Sequence, residues 1–382
     1  MKCVENNQGS RMFEENKVSV IVPVYNGEEY IGETIRHILN STYQNLEVII
    51  VIDGCHDGSK MICENISQTD PRVHVHYKEN GGIAEARNYG IAYATGKYIA
   101  LCDQDDIVEP EMYKILVQRM ELSDAEFGIC SCGKLVDGTI IPLEVYDDRD
   151  LNGYSIAEEV LFPIVFNGYK VPISMTEKNR YSNIWKALIQ REFYEKNGLN
   201  FHAYVSFEDD LLMIVRILSL ACKVTTSSYM GYLWRVNMHS ESHARKYIEN
   251  IGKKQRLWVE DIGESVKYAD INEEQRRLIM QVTNCKMYVD AVLNLCSPMR
   301  KEKFCEIPQY FRKNVYQYEF EDSMEAIKYA EKEFPMQYIL LRLLRKGHTY
   351  LSFFMGKILV LLVDKMYQNK FLMKIDSFIK ER

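Results

Sequence analysis

The chain has 382 residues, more than one typical domain and enough to bury a substantial core, and it carries a formal charge of −7. That balance argues against nucleic acid as a partner, because phosphate binding needs a basic surface. Ten cysteines, scattered and with no signal-peptide pattern ahead of them, point to a reducing cytosol rather than a disulfide framework.

Residues 1–16, with Glu5, Asn6, Asn7, Gln8, Gly9 and Ser10, read as a flexible lead-in. Val18 to Asn26 is an apolar, β-branched run and predicts a buried strand. The turn after it, Pro23-Val24-Tyr25-Asn26-Gly27-Glu28-Glu29, contains neither G-x-G-x-x-G nor G-x-x-x-x-G-K-[ST]. A dinucleotide fingerprint and a P-loop are thereby excluded at that turn. Leu46 to Asp53 predicts a second strand, with Asp57-Gly58 sufficient for the turn that follows. Val73 to Tyr77 predicts a third, and Asn80-Gly81-Gly82 precedes a helix from Ile83 to Tyr93 that carries Arg87 and Asn88 one turn in.

The fourth run, Tyr98 to Cys102, ends in Asp103, Asp105 and Asp106. Four such strands separated by helix-length segments predict an α/β fold with a doubly wound, mostly parallel sheet, whose carboxyl edge binds ligands. Asp103 and Asp105 are two apart and face the same side of extended chain. Hard oxygen ligands so placed suit Mg²⁺ or Mn²⁺ carrying a phosphate. The alternative is that these acids cap the helix beginning near Pro110.

Cys130 and Cys132 alternate as a strand would and have no second pair, which argues against zinc. Glu208-Asp209-Asp210 opens an amphipathic helix running to Leu220, where first-turn acids are favoured by the helix dipole in any case. Lys223-Val224 starts another strand.

Six segments, VSVIVPVYNGEEYI, VIDGCHDGS, NGGIAEARNYGIAYATGKYIALCDQDD, NIWKALIQREF, SFEDDLL and YLWRVNMHS, resemble in order and spacing the successive blocks of the family 2 glycosyltransferases of GT-A fold. The resemblance spans about Lys17 to Ser240. It implies a nucleotide-sugar donor, a UDP-sugar above others, bound at the carboxyl ends of the early strands. Pro23, Tyr25, Asp53, Arg87, Asn88, Asp103, Gln104 and Asp105 correspond to its binding set. Asp53 matches the nucleoside-binding acid, Asp103 lies nearer the ribose, and Asp105 holds the Mg²⁺ or Mn²⁺. The general base for an acceptor hydroxyl falls on Asp210 by the ungapped match and on Asp209 if the Glu-Asp pair is read literally. His239 matches loosely a histidine that completes the metal or diphosphate site in some relatives. The implied chemistry is a single inverting displacement; the alternatives are a soluble glycosyltransferase acting on a protein or small-molecule acceptor and a non-catalytic nucleotide-sugar-binding subunit. Departures are Ile52 where relatives carry a second acid, Cys55 and His56 for small hydroxyl residues, and Asn237 at the usual histidine position.

Beyond the catalytic unit, 17–240, helices dominate. Tyr247 to Asn294 has helical apolar spacing interrupted near Ile271-Asn272, Ser297-Pro298 marks a break, and Glu319 to Glu333 continues the pattern. These make a helical appendage, 241–335, that completes the acceptor cleft or a homodimer interface. From Met336 to Arg382 nine Lys/Arg stand against three acids, a net of +6, interleaved with Phe353, Phe354, Ile358 to Val363 and Phe371. Such a basic amphipathic tail suits the surface of an anionic membrane, placing the enzyme on the inner face of the cell membrane beside a lipid-linked saccharide acceptor. The other reading of the tail is a helix packed on its own domain or on a partner copy. A transmembrane span is excluded by length and by Lys357.

Overall fold

A computed structural model describes residues 14–136, 138–167, 180–202, 209–236, 247–297, 300, 302–316 and 335–368. The four expected strands are β1 (Glu14–Val24), β2 (Leu46–Asp53), β3 (Val73–Lys78) and β4 (Gly96–Leu101). They pair in parallel in the order β3-β2-β1-β4. Connecting them are α1 (Ile31–Leu39), α2 (Ser59–Ser67) and α3 (Ile83–Tyr93). Every residue of β2 is buried, which is why the run carries no polar alternation.

Alternation instead sorts apolar residues between two cores. Val18, Val20 and Val22 with Val48 and Ile50 face α1, while Ile21 with Ile49 and Val51 face α3. α3 lies so close that a Cβ on Gly90 would stand 2.6 Å from Ile21 Cγ2. β1 begins at Glu14, inside the stretch expected as lead-in. The chain bends there through Asn16 at φ 58°, and the β1–β4 register shifts before Val18, so polar composition did not prevent pairing.

The sheet continues through β5 (Ile107–Val108), β6 (Phe127–Val136), β7 (Thr139–Glu144), β8 (Arg149–Asn152), β9 (Ala187–Gln190) and β10 (Lys223–Arg235), with α4 (Met112–Ser123) packed on it. β9 runs antiparallel between β4 and β6 and joins the N-terminal parallel half to the parallel pair β6–β10. The architecture is the expected α/β, mostly parallel sheet with C-terminal helices.

Helix α5 (Asp209–Leu220) packs against α6 (Ile251–Val266). The break expected near Ile271-Asn272 is real: Asn272 caps α7 (Glu273–Leu295) in a reciprocal capping box with Gln275. α8 (Ile307–Asn314), α9 (Pro335–Arg345) and α10 (Thr349–Gln368) follow. The core facing α3 runs without interruption into this appendage through Ile279, Val282, Tyr288, Val292, Leu340, Leu344 and Phe353.

One face of α10 therefore packs on the protein. A Cβ on Gly356 would meet Val292 Cγ1 at 2.7 Å, and Lys357 Nζ donates to Cys296 O at 3.0 Å. The opposite face leaves Tyr350, Leu351, Phe354, Ile358, Leu361 and Leu362 exposed, beside the exposed ring of Phe304. Among the described residues no helix is long and apolar enough to cross a membrane. The expected segment Glu319 to Glu333, Glu208, Asn237 and His239 lie outside the described residues, as does 369–382.

Candidate active site

The carboxyl end of β4 delivers Asp103 to the edge of the sheet, and the first turn of α5 brings Asp209 and Asp210 to meet it. Arg87, on α3, stands between them and is 2% exposed. Its Nη2 donates to Asp103 Oδ1 at 3.3 Å, and its Nη1 donates to Asp209 Oδ2 at 3.2 Å and Asp210 Oδ1 at 2.5 Å. The guanidinium carbon sits 5.2 Å from the ring centroid of Phe201. A single cation thus gathers three acids from two distant parts of the chain.

Burial opposes the charge of Arg87, but the carboxylates of Asp210, Asp209 and Asp103 raise its pKa. Asp103 and Asp209 are each pushed up to about 6; burial is the largest cause, Arg87 pulls the other way, and Asp210 adds like-charge repulsion. Asp209 is buried, with 8% of its side chain exposed against 19% for Asp210. Asp210 also accepts the Ile184 N–H on Oδ2 at 3.4 Å.

The acidic loop is braced from several sides. Gln104 exchanges two hydrogen bonds with the backbone of Tyr25, fixing the turn after β1, just past buried Pro23 in the strand. Arg235 donates from Nε to Asp105 O at 2.9 Å and pairs with Glu33 on α1. Asp106, one of the acids read from sequence as capping the helix near Pro110, does not cap it: it is fully buried, accepting from Tyr232 Oη and from the Arg235 N–H, each at 2.9 Å. Tyr232 Oη in turn accepts the Asp103 N–H at 3.1 Å, and its ring stacks on Trp185 at 4.1 Å. Burial, with repulsion from Asp103 and Asp105, raises Asp106 well above the ordinary carboxylate range.

Two expected nucleotide contacts are engaged within the chain. The Asn88 amide donates to Phe201 O at 2.8 Å and accepts the Phe201 N–H at 2.9 Å. Asp53 is 3% exposed, and its oxygens accept from Gly81 N–H, Gly82 N–H and Lys78 Nζ, closing the loop that leads into α3.

Residues that pattern reasoning missed are Tyr232, Trp185, Lys186 and Glu144. Trp185 and Lys186 lie within NIWKALIQREF, where a lysine before an apolar run reads as a strand-end surface charge. An open pocket of about 270 Å³ is lined by Asn167, Tyr181, Ser182, Asn183, Lys286 and Leu211, the neighbour of Asp210 in α5, among others. Lys286 belongs to α7, so the appendage contributes one wall.

As a metal site, Asp103 and Asp105 offer two hard oxygen ligands at one strand end, a donor set that fits Mg²⁺ or Mn²⁺ when substrate phosphates supply the rest. Among the described residues no group of three or more His, Cys, Asp or Glu could hold a metal by itself.

Comparison with known proteins bears on the family and the fold. The model of glycosyl transferase family 2 matches residues 19–139. Glycosyltransferase GlyG of Streptococcus pneumoniae is 34% identical over 258 residues, 62% of this chain and 79% of that protein. The uncharacterized glycosyltransferase EpsJ of Bacillus subtilis is 30% identical over 226 residues, 58% of this chain and 62% of EpsJ. In three dimensions the chain is similar to S. aureus TarS residues 1–349, crystallised with UDP-GlcNAc, with a TM-score of 0.61 at 18% identity over 89% of this chain and 90% of that one.

Proposed function

Because the chain belongs to glycosyltransferase family 2 and so acts on a nucleotide-sugar, we propose that it moves a sugar from a UDP-sugar to an acceptor hydroxyl with inversion, Asp210 serving as general base. The observation that carries this reading is the convergence of Asp103, Asp209 and Asp210 on Arg87 at the carboxyl edge of the sheet. UDP-GlcNAc, which the TarS structure holds, is the donor to try first.

The diphosphate belongs beside Asp103 and Asp105, and the acceptor enters from the pocket bordered by Asn183, Leu211 and Lys286. Asp210 takes the proton of the attacking hydroxyl as the new bond forms, since the hydroxyl is far less acidic than the carboxylate. Its greater exposure favours it over Asp209. Arg87 orients Asp210 through Oδ1. Asp103 and Asp105 would hold Mg²⁺ or Mn²⁺, which when bound neutralises charge on the departing diphosphate.

The exposed apolar stripe of α10 and the net +6 of 336–382 support a place on the inner face of the membrane, with a lipid-linked acceptor of surface-polysaccharide synthesis.

The test is a thermal-shift screen of UDP- and GDP-sugars with Mn²⁺ or EDTA. A UDP-sugar should stabilise the wild type only with Mn²⁺, and Asp105→Ala should abolish that shift while leaving the fold intact. Equal metal-dependent stabilisation of Asp105→Ala would refute the assignment of the donor site.

A further inference from the structure

Lys186 and Glu144 form an ion pair with 1% and 0% of their side chains exposed. Lys186 Nζ also donates to Tyr181 O at 2.7 Å, and Glu144 Oε2 accepts the Tyr181 N–H at 3.2 Å. Next door, Arg180 donates to Val145 O at 2.7 Å and lies 3.5 Å from the centroid of the Tyr146 ring. Both ends of the segment from Tyr181 to Lys186 are therefore tied to the end of β7. Its middle does two things: Trp185 stacks on Tyr232, which braces Asp103 and Asp106, and Ile184 donates its N–H to Asp210 Oδ2.

A buried ion pair gives up the hydration of both charges, and a well-packed apolar pair of similar volume often stabilises a protein as well or better. This one is not fully hydrogen-bonded either, since Glu144 Oε1 lies 3.9 Å from Arg180 Nη1 but accepts no hydrogen bond. Its geometric output is specific: it fixes where Ile184 N–H stands, and hence which oxygen of Asp210 is held by backbone and which by Arg87.

We propose that Lys186 and Glu144 are positioning residues of the transfer reaction, a buried pair that sets the segment from Tyr181 to Trp185 so that Ile184 N–H aims the Asp210 carboxylate at the acceptor pocket. The inference rests on the reading of Asp210 as the base. Tyr181, Ser182 and Asn183 also wall that pocket, so the same pair shapes both the base and the route to it.

The variant that separates positioning from folding is the double replacement Glu144→Leu with Lys186→Met, which removes both charges of the pair; Arg180, whose Nη1 lies 3.9 Å from Glu144 Oε1, keeps Val145 O and the Tyr146 ring as partners. It should fold with a melting temperature at or near that of the wild type. Amide exchange in peptides covering 181–186 should become about tenfold faster while exchange in β1 and β2 stays unchanged. UDP release from UDP-GlcNAc with Mn²⁺, water acting as acceptor, should show kcat lower by about tenfold with KM and UDP affinity within about twofold. Lys186→Arg, which keeps the charge, should recover part of that kcat. A folded double variant with wild-type exchange and wild-type kcat overturns the proposal. If the wild type neither binds UDP nor releases it from a UDP-sugar, the transferase assignment fails instead, and the exchange result still decides here, unchanged exchange overturning the positioning role.

Discussion

Gln104 and Tyr25 are joined as two strands would be: Tyr25 N–H donates to Gln104 Oε1 at 2.8 Å, and Gln104 Nε2 donates back to Tyr25 O at 3.1 Å. The amide side chain thereby continues the sheet past the point where backbone pairing between β1 and β4 ends, at Ile21 and Leu101. Only an amide can both accept and donate in this way. Gln104→Glu keeps the acceptor and loses the donor, so it should lower unfolding free energy by about 1–2 kcal/mol in urea titration and weaken UDP binding through the loosened turn. Unaltered stability would mean that the turn holds itself.

Asp210→Asn should leave UDP affinity nearly intact while turnover falls by ~10²-fold, the scale of a lost general base. Asp209→Asn should cost less turnover and more stability, being the more buried partner of Arg87. Initial-rate kinetics on both variants, with UDP titrations alongside, separate the two roles. The opposite ranking of turnover would make Asp209 the base.

Asp103 and Asp209 give the metal-free protein an unusual acid response. Each is raised to about 6, chiefly by burial. Between their ordinary value and about 6, the folded protein keeps protons that the unfolded chain has released, so stability falls as pH rises through that window. Lowering the pH from about 7 to about 5 in EDTA should therefore raise stability by on the order of 1 kcal/mol. Further acidification reverses the trend as acids held below their ordinary values, such as Asp70 bonded to Arg72, take up protons. A melting temperature that only declines from pH 7 downward would show that the cluster ionises like surface carboxylates.

For the tail, cationic attraction of roughly 1 kcal/mol per Lys or Arg should combine with insertion of Phe354, Ile358, Leu361 and Leu362. The protein should co-sediment with anionic but not neutral liposomes, and raised salt should release part of it. Phe354→Glu with Ile358→Glu should abolish binding without unfolding α10, whose packed face is the other one. If these variants bind as before, or if they instead convert a dimer to monomers, the stripe is not a lipid-facing surface.

Much of this was legible in residue order. Four apolar runs announced β1 to β4, and each acid at a run's end lies at the carboxyl edge. The two acid clusters were visible as Asp103 to Asp106 and Asp209-Asp210, but nothing in their spacing indicated that one arginine on α3 would bind both. Asp106 and Asp105 look equivalent in sequence; Tyr232, more than a hundred residues away, decides that Asp106 turns inward. β9 has four residues, too few for a periodic signal, and its place depends on edges offered by β4 and β6. The Lys186–Glu144 pair was invisible because charged residues in isolation imply solvent. The tail's composition is compatible with both an outward and an inward face, and α10 has each.

The antiparallel insertion of β9 also sets a timetable for synthesis. β4 is complete at Leu101, yet the strand that covers its free edge begins at Ala187. At ribosomal rates of roughly 5–20 residues per second, those intervening residues take about 4 to 17 seconds to appear. Throughout that time the nascent parallel half presents an unpaired, largely apolar edge, and β6 waits with one of its own. The first hundred residues thus cannot finish as an independent folding unit, and a ribosome stalled between α4 and β9 would hold out a chain primed for edge-to-edge aggregation.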